Sequence, residues 1–505
     1  MTSFSLRRLF LACTVSVAAL VAVIAPGTAS ASDLGEQCSG SNIKANGSSF
    51  QAPILKIWQV DFNQIAGVPN KNELACGGTQ GSKGEPKVEY VSGGSGACLH
   101  GWGAESTEPV KYGEFPFCGT DEAPNPTQKA EIESHKSGGG LKSLEEIPIL
   151  QGAVAVIVHL PKGCKAESEI ERGGKKVKLG RLVFDDTSIE GVYSGTIKTW
   201  KQLIENQGAG SDKLTCKIAS EEEKRIIPVV RLDHSGTTHI FKSFLEQINT
   251  ESKAMEEYPE EIGGKKTGCG KALPEESEAW SEVAEACQNQ RWPKAAEVLR
   301  GAESGNPGII KQVNNTESSI GYADLAVTRE LHFFSAKCGV HPGECGGENT
   351  QGTETKVGLQ SVKFWAEVQD SESPEAAGYA DPSSDFDTEL PARSNCAGTV
   401  YTNEAGKKFP PANTREPWNG AKAELVQAKY ALCGLTYDLA LRQYKFYPGT
   451  TKEEATTVHD FLNWAMNGKV EGGGALEANT DYEKLPTEIL FKSQAGIKEI
   501  AFEKP

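Results

Sequence analysis

Beyond residue 25 no apolar run approaches the roughly 18 residues that a membrane-crossing helix needs. Basic residues are also in short supply. Lys and Arg total 52 against 68 Asp and Glu, a formal charge of −16, and no basic stripe is interleaved with aromatics. A chain of that sign repels a phosphate backbone, so nucleic acid is not an expected partner. There is no internal repeat, no G-x-x-x-x-G-K-[ST] loop and no convincing ligand set for a pair of metals. Solenoid architecture, nucleoside triphosphate binding and two-metal hydrolysis therefore find no support. What remains, at 38% hydrophobic and 24% charged over 505 residues, is an ordinary globular composition with chain enough for about two to four domains.

Arg7 and Arg8 precede an almost unbroken apolar stretch from Leu9 to Ala25, and Ala29-Ser30-Ala31 supplies a small-residue cleavage pattern. Residues 1–31 thus read as an export signal, and the mature protein is expected in the periplasm or at the cell surface. Leu11-Ala12-Cys13 faintly resembles a lipidation site, but too few apolar residues precede Cys13. Twelve of the 13 cysteines would remain, an even number in an oxidising compartment; up to six disulfides are expected, in a pairing the sequence leaves open. His332, Cys338, His341 and Cys345 have spacings that could hold zinc, although in that compartment a local Cys338–Cys345 disulfide is the simpler reading. No metal or other cofactor is expected.

Strand-like runs at 88–91, 153–158 and 226–230 alternate with helical stretches, the pattern of an α/β fold. Residues 153–158 are apolar throughout, as a strand buried on both faces must be. Polar segments at 162–180, 207–225, much of 250–300, and 335–430 read as surface excursions, several pinned by disulfides. Near the C-terminus Val458, Phe461, Leu462, Trp464 and Ala465 fall at helical spacing. Leu485-Pro486 then precedes a final amphipathic helix with Ile489, Leu490 and Ile497. The most economical sheet for both helices to cover is the N-terminal one.

The most informative stretch runs from Val229 to Leu245. Val229 and Val230 end a strand, Arg231 and Asp233 stand at its edge, and Ser235-Gly236-Thr237-Thr238 opens a helix whose Phe241, Phe244, Leu245 and Ile248 share a face. First-turn N–H groups lack partners inside a helix, Gly lets the backbone approach a ligand, and hydroxyls and a guanidinium add donors, which together make an anion seat. Taken alone, the same residues are equally well read as ordinary helix capping. Three further segments share that ambiguity. Gly47-Ser48-Ser49-Phe50-Gln51-Ala52-Pro53 precedes a helix with Ile54, Ile57, Trp58, Phe62 and Ile65; the Gly-rich Ser92-Gly93-Gly94-Ser95-Gly96-Ala97 follows a strand; and Asp121 stands among turn formers in Phe117–Pro124.

In this order the four segments resemble the phosphate-binding proteins of the high-affinity phosphate ABC transporter, the PstS family. That family reads G-[AS]-[ST]-F-x-A-P, then a Gly/Ser-rich turn after a V-x-Y strand, S-D-x-P, and R-x-D-G-S-G-T. The counterparts here are Gly47–Pro53, Val88-Glu89-Tyr90 with Gly94-Ser95-Gly96, Thr120–Pro124, and Arg231–Thr237. Val192–Trp200, Ser319–Tyr322, Phe461–Ala465 and Tyr482–Pro486 are supporting matches. The resemblance implies a monomeric, two-lobe, periplasmic-binding-protein-like α/β fold of type II. Lobe one would be 42–150 plus 435–505 and lobe two 151–434, with hinge strands near 153–160 and 437–446. It implies a binding protein that serves a membrane permease, not an enzyme. It also implies that Ser49 Oγ, the Phe50 N–H, Ser95 Oγ, Asp121, Arg231, Ser235 Oγ, the N–H groups of Gly236 and Thr237 and the Thr237 hydroxyl enclose one inorganic phosphate, with Asp233 orienting Arg231.

Within that set Asp121 would supply selectivity. A carboxylate only accepts hydrogen bonds, so it favours an oxyanion that still carries a proton. Phosphate keeps one near neutral pH and sulfate does not; the mismatch is of order several kcal/mol, roughly a thousandfold in affinity. Arsenate passes the same test. His234 departs from the family, which has Gly there; it is strained if the turn needs positive φ, and it reads either as an exposed or rim histidine or as an extra anion donor. Two rival functions remain: a phosphate-releasing hydrolase, since Asp233, His234 and Ser235 are triad residue types, and a surface scaffold or adhesion protein that kept the fold.

Overall fold

The computed structural model describes residues 33–63, 76, 86–105, 113–134, 144–172, 175–179, 182–206, 213–216, 225–262, 265–266, 272–331, 363–369, 382–383, 393–403, 409–425, 430–467 and 480–503. The expected export signal, Cys13 and the His332, Cys338, His341 and Cys345 cluster lie outside the described residues.

Ten strands form one mixed sheet: β1 (Ile43–Gly47), β2 (Val88–Ser92), β3 (Phe117–Thr120), β4 (Leu144–His159), β5 (Ile227–Val230), β6 (Leu299–Arg300), β7 (Ser319–Asp324), β8 (Lys363–Trp365), β9 (Cys433–Leu441) and β10 (Tyr482–Glu483). Their order is β6-β5-β7-β4-β9-β3-β1-β2, and β8 and β10 also pair with β4. The α/β class expected from the alternating pattern is what forms.

The 16-residue β4 organises the sheet. Leu144 to Ala153 runs antiparallel to β9, and Val154 to His159 runs antiparallel to β7. The chain therefore passes from one half of the sheet to the other between Ala153 and Val154. The apolar run 153–158 marks only the second half of this strand. Its first half is equally buried but carries Glu145 and Glu146, which break the pattern. Glu146 pairs with Lys129 at 3.1 Å and accepts the Trp418 N–H at 3.0 Å, and Glu145 accepts the Thr414 hydroxyl. Buried carboxylates are tolerable because each has a partner.

The helices that matter for the site are α1 (Ala52–Asn63), α2 (Ser95–Gly101), α3 (Gly236–Ile248), α4 (Asn306–Asn315), α5 (Leu325–Glu330), α6 (Lys452–Met466) and α7 (Thr487–Ile497). The two C-terminal helices do cover the N-terminal half of the sheet. α6, opened by a Thr451/Glu454 capping box, sets Phe461 and Trp464 against Phe62 of α1 at centroid distances of 5.2 and 5.7 Å, and α7 lies on β4. Disulfides Cys38–Cys76, Cys98–Cys118 and Cys396–Cys433 are formed, the second joining α2 to β3.

Much of the polar segment 250–300 is not the surface excursion that its composition suggests. Tyr258, Trp280 and Trp292 are fully buried, with Trp292 packed against Tyr193 and Phe241. Lys242 of α3 is buried with it, its ammonium 4.4 Å from the Trp292 ring and donating to the carbonyls of Val283 and Arg291. Aromatic faces and backbone acceptors let a polar segment pack inward.

A candidate anion-binding site where helix N-termini meet

The turns that leave β1, β2 and β5 deliver the N-termini of α1, α2 and α3 to one place, and α4 starts beside them at Asn306. Each helix start presents N–H groups with no acceptor inside its own helix, and the converging dipoles favour negative charge.

Arg231 emerges at the end of β5, 2% exposed, and grips Asp233 with two parallel bonds: Nε to Oδ1 at 2.9 Å and Nη2 to Oδ2 at 2.5 Å. Asp233 also accepts the Gly305 N–H at 3.1 Å, which fixes the pair to the start of α4. Nη1 points along the other edge, 3.5 Å from Thr237 Oγ1. Gly94 is required next to Asp233, because its φ of 88° is left-handed and a Cβ there would sit 2.6 Å from Asp233 Oδ2.

Ser235 is the N-cap of α3, its hydroxyl accepting the Thr238 N–H at 3.2 Å. The first-turn N–H groups of Gly236 and Thr237 have no hydrogen-bond partner among the described residues. Thr238 is held further back by Tyr322, whose hydroxyl lies 2.7 Å from Thr238 Oγ1. Gly236 meets the opposite wall at close range: a Cβ there would fall 2.6 Å from both Asp121 Cβ and Ser95 Oγ. The SGT turn is therefore both a cap and a contact surface.

Asp121 is the centre of that wall. Its Oδ1 accepts from Ser48 Oγ at 2.5 Å and Thr436 Oγ1 at 2.9 Å, and its Oδ2 from Ser95 Oγ at 3.3 Å. Burial pushes its pKa up to about 6, against the pull of the Ser48 and Thr436 hydroxyls, the Arg231 charge and Ser95. A carboxylate offers about four acceptor positions, so three hydroxyls leave one on Oδ2.

The residues expected to form the site come together. Ser95, Asp121 and Gly236 touch across the walls, while Ser49 joins Thr237 through Asn306, whose Nδ2 lies 3.3 Å from both hydroxyls. Two assignments shift in detail. The Phe50 N–H donates to Ser48 Oγ at 2.9 Å, and Ser49 Oγ accepts the Asn306 N–H at 3.1 Å. Ser48, Thr436 and Asn306 were missed. Ser48 sits beside Ser49, and sequence cannot say which of two adjacent hydroxyls turns inward. Thr436 is the one threonine of the largely apolar β9, and Asn306 opens α4 after Gly305, whose φ of 84° is left-handed; Gly305-Asn306-Pro307 is a helix-start signal in the sequence.

The exposed or rim reading of His234 does not hold. It is buried, not at a rim, and it is absent from the residues with positive φ, so the turn does not strain it. Its Nε2 lies 2.9 Å from Glu122 Oε2 and its ring meets His100 edge-on at 5.4 Å. Burial pushes the Glu122 carboxyl up to about 8 and the His234 imidazole down. Nor do Asp233, His234 and Ser235 form a triad: they face Arg231, Glu122 and the Thr238 N–H respectively.

The charge balance decides what such a seat can hold. Arg231 is already offset by Asp233, so an incoming anion would be held by hydroxyls, amides and helix ends rather than by surplus positive charge. The phosphate-binding protein PstS of Methanocaldococcus jannaschii is 27% identical over 247 residues, 48% of this chain and 47% of its own, so the chain matches about half the length of that relative. PstS of Pasteurella multocida is 23% identical over 460 residues, 90% of each chain. Among solved structures, a phosphate-binding protein from Stenotrophomonas maltophilia is 16% identical with a TM-score of 0.48, over 90% of this chain and 93% of that one. The family model for the PBP superfamily domain matches residues 27–469, most of the length, and the chain belongs to that superfamily.

Proposed function

We propose that this protein binds inorganic phosphate outside the cytoplasmic membrane and delivers it to the permease of a phosphate ABC transporter. The observation that carries the reading is Asp121, a buried acceptor with one position open, set among helix N-termini and facing a guanidinium already offset by Asp233. Serines 49, 95 and 235, the Gly236 and Thr237 amides and the Thr237 hydroxyl complete the set of ligand contacts, the Phe50 N–H being held by Ser48 Oγ, and the P–OH proton faces Asp121. Relatives named phosphate-binding proteins support the same reading. Lobe one (42–150 plus 435–505) and lobe two (151–434) close on the ligand about β4 and β9.

Calorimetric titration of the mature protein with phosphate, arsenate and sulfate tests this. Phosphate and arsenate are expected to bind at pH 8, and sulfate to show no measurable heat. Equal affinities for phosphate and sulfate would overturn the role of Asp121. The pH dependence has a definite sign. Above about 6 the Asp121 carboxylate only accepts; below it the group carries a proton and can donate to a fully ionised oxyanion. Sulfate binding should therefore strengthen as the titration is repeated from pH 8 down to pH 5.

Gly236→Ala probes the contact between the walls. Its methyl group would press on Asp121 and Ser95, and overpacking at about 1–3 kcal/mol predicts a loss of phosphate affinity of about tenfold or more in the same titration.

A further inference from the structure

Glu122 is fully buried beside the anion seat but takes no part in it. It follows β3, whereas each hydrogen bond that its carboxylate makes among the described residues comes from the far side of the cleft. Its Oε1 takes the Ala286 N–H at 2.6 Å. Its Oε2 takes Asn289 Nδ2 at 3.0 Å and lies 2.9 Å from His234 Nε2. His234 belongs to the β5–α3 turn, and Ala286 and Asn289 to the inward-packed segment 279–292. In the sheet, β7, β4 and β9 stand between β5 and β3, so the two strand ends are not paired directly, although the Gly96 N–H of α2 donates to the His234 carbonyl at 3.2 Å. Asn289 extends the connection into the seat itself, donating to the Ser235 carbonyl at 3.1 Å and receiving the Ser235 N–H at 3.4 Å.

We propose that Glu122 is a latch: by collecting His234, Asn289 and the Ala286 amide it locks the closed cleft and sets the rate at which phosphate leaves. Glu122 is thus a positioning residue that never touches the ligand. The inference rests on the phosphate-binding reading for its ligand, but not for the closure it describes. Losing three buried hydrogen bonds that join the two sides predicts release faster by about ten- to a hundredfold. The association rate should change little, since the open form that admits phosphate lacks these bonds in any case.

The test loads the mature protein with radiolabelled phosphate and follows its release into an unlabelled chase by rapid filtration. Glu122→Ala should release about tenfold faster or more, with the preference for phosphate over sulfate unchanged. His234→Gly, which removes one partner and keeps the carboxylate, should lie between Glu122→Ala and wild type. Small-angle scattering without phosphate provides the second readout: Glu122→Ala should have the larger radius of gyration. Wild-type release rates in both variants, together with unchanged scattering, would overturn the latch. Should the wild type bind no phosphate, the functional reading fails, and the scattering comparison alone decides the latch. If Glu122→Ala does not fold, His234→Gly and Asn289→Ala carry both measurements.

Discussion

Arg231→Met should weaken phosphate binding by about a hundredfold to ten-thousandfold. The guanidinium is 2% exposed and holds both oxygens of Asp233. Removing one partner of a buried ion pair typically costs about 3–5 kcal/mol, because the other charge stays behind without compensation. Here that charge is negative and next to the seat of an anion, so the variant loses a donor and gains a repulsion. Arg231→Lys should recover little of the loss, since one ammonium cannot supply two parallel bonds. Titration calorimetry reads both effects, and a dissociation constant within tenfold of wild type in Arg231→Met would show that the seat does not depend on the pair.

Asp121→Asn should collapse the discrimination between phosphate and sulfate from roughly a thousandfold to within about tenfold. The replacement keeps the shape against which Gly236 packs, and its carbonyl can still accept from Ser48 and Thr436. Its amide nitrogen takes the place of Oδ2, turning the open acceptor position into a donor. A P–OH group then loses its acceptor, while a sulfate oxygen finds a new hydrogen bond. Parallel titrations with the two anions give the ratio directly. If sulfate stays excluded, selection lies in the shape of the seat rather than in the polarity of one atom.

These effects trace back to residues of unequal legibility. Arg231, Asp233, Ser235, Gly236 and Thr237 could be read because they are contiguous: a strand end, a turn and a helix start lie within a few residues and carry their chemistry with them. Ser49, Ser95 and Asp121 became readable through their order along the chain. Thr436 and Asn306 are different, because their importance lies in hydroxyl and amide contacts to residues hundreds of positions or dozens of positions away. A polar residue in a turn is normally exposed, yet His234 is enclosed by His100 and Gly96 of α2 and by Glu122, contacts that only the tertiary fold supplies.

By itself, then, the amino-acid sequence determined the α/β alternation, the apolar half of β4, the buried faces of α3 and α6 and the turns that open α1, α2 and α3, all of which follow from local periodicity and first-turn helix chemistry. Tertiary structure alone decided that β4 continues through two buried glutamates, that Ser48 rather than Ser49 donates to Asp121, and that Glu122 reaches across to His234. The physical reason is common to the three. Whether a polar atom can be buried depends on which partner arrives to satisfy it, and that partner comes from a part of the chain which local pattern does not relate to it.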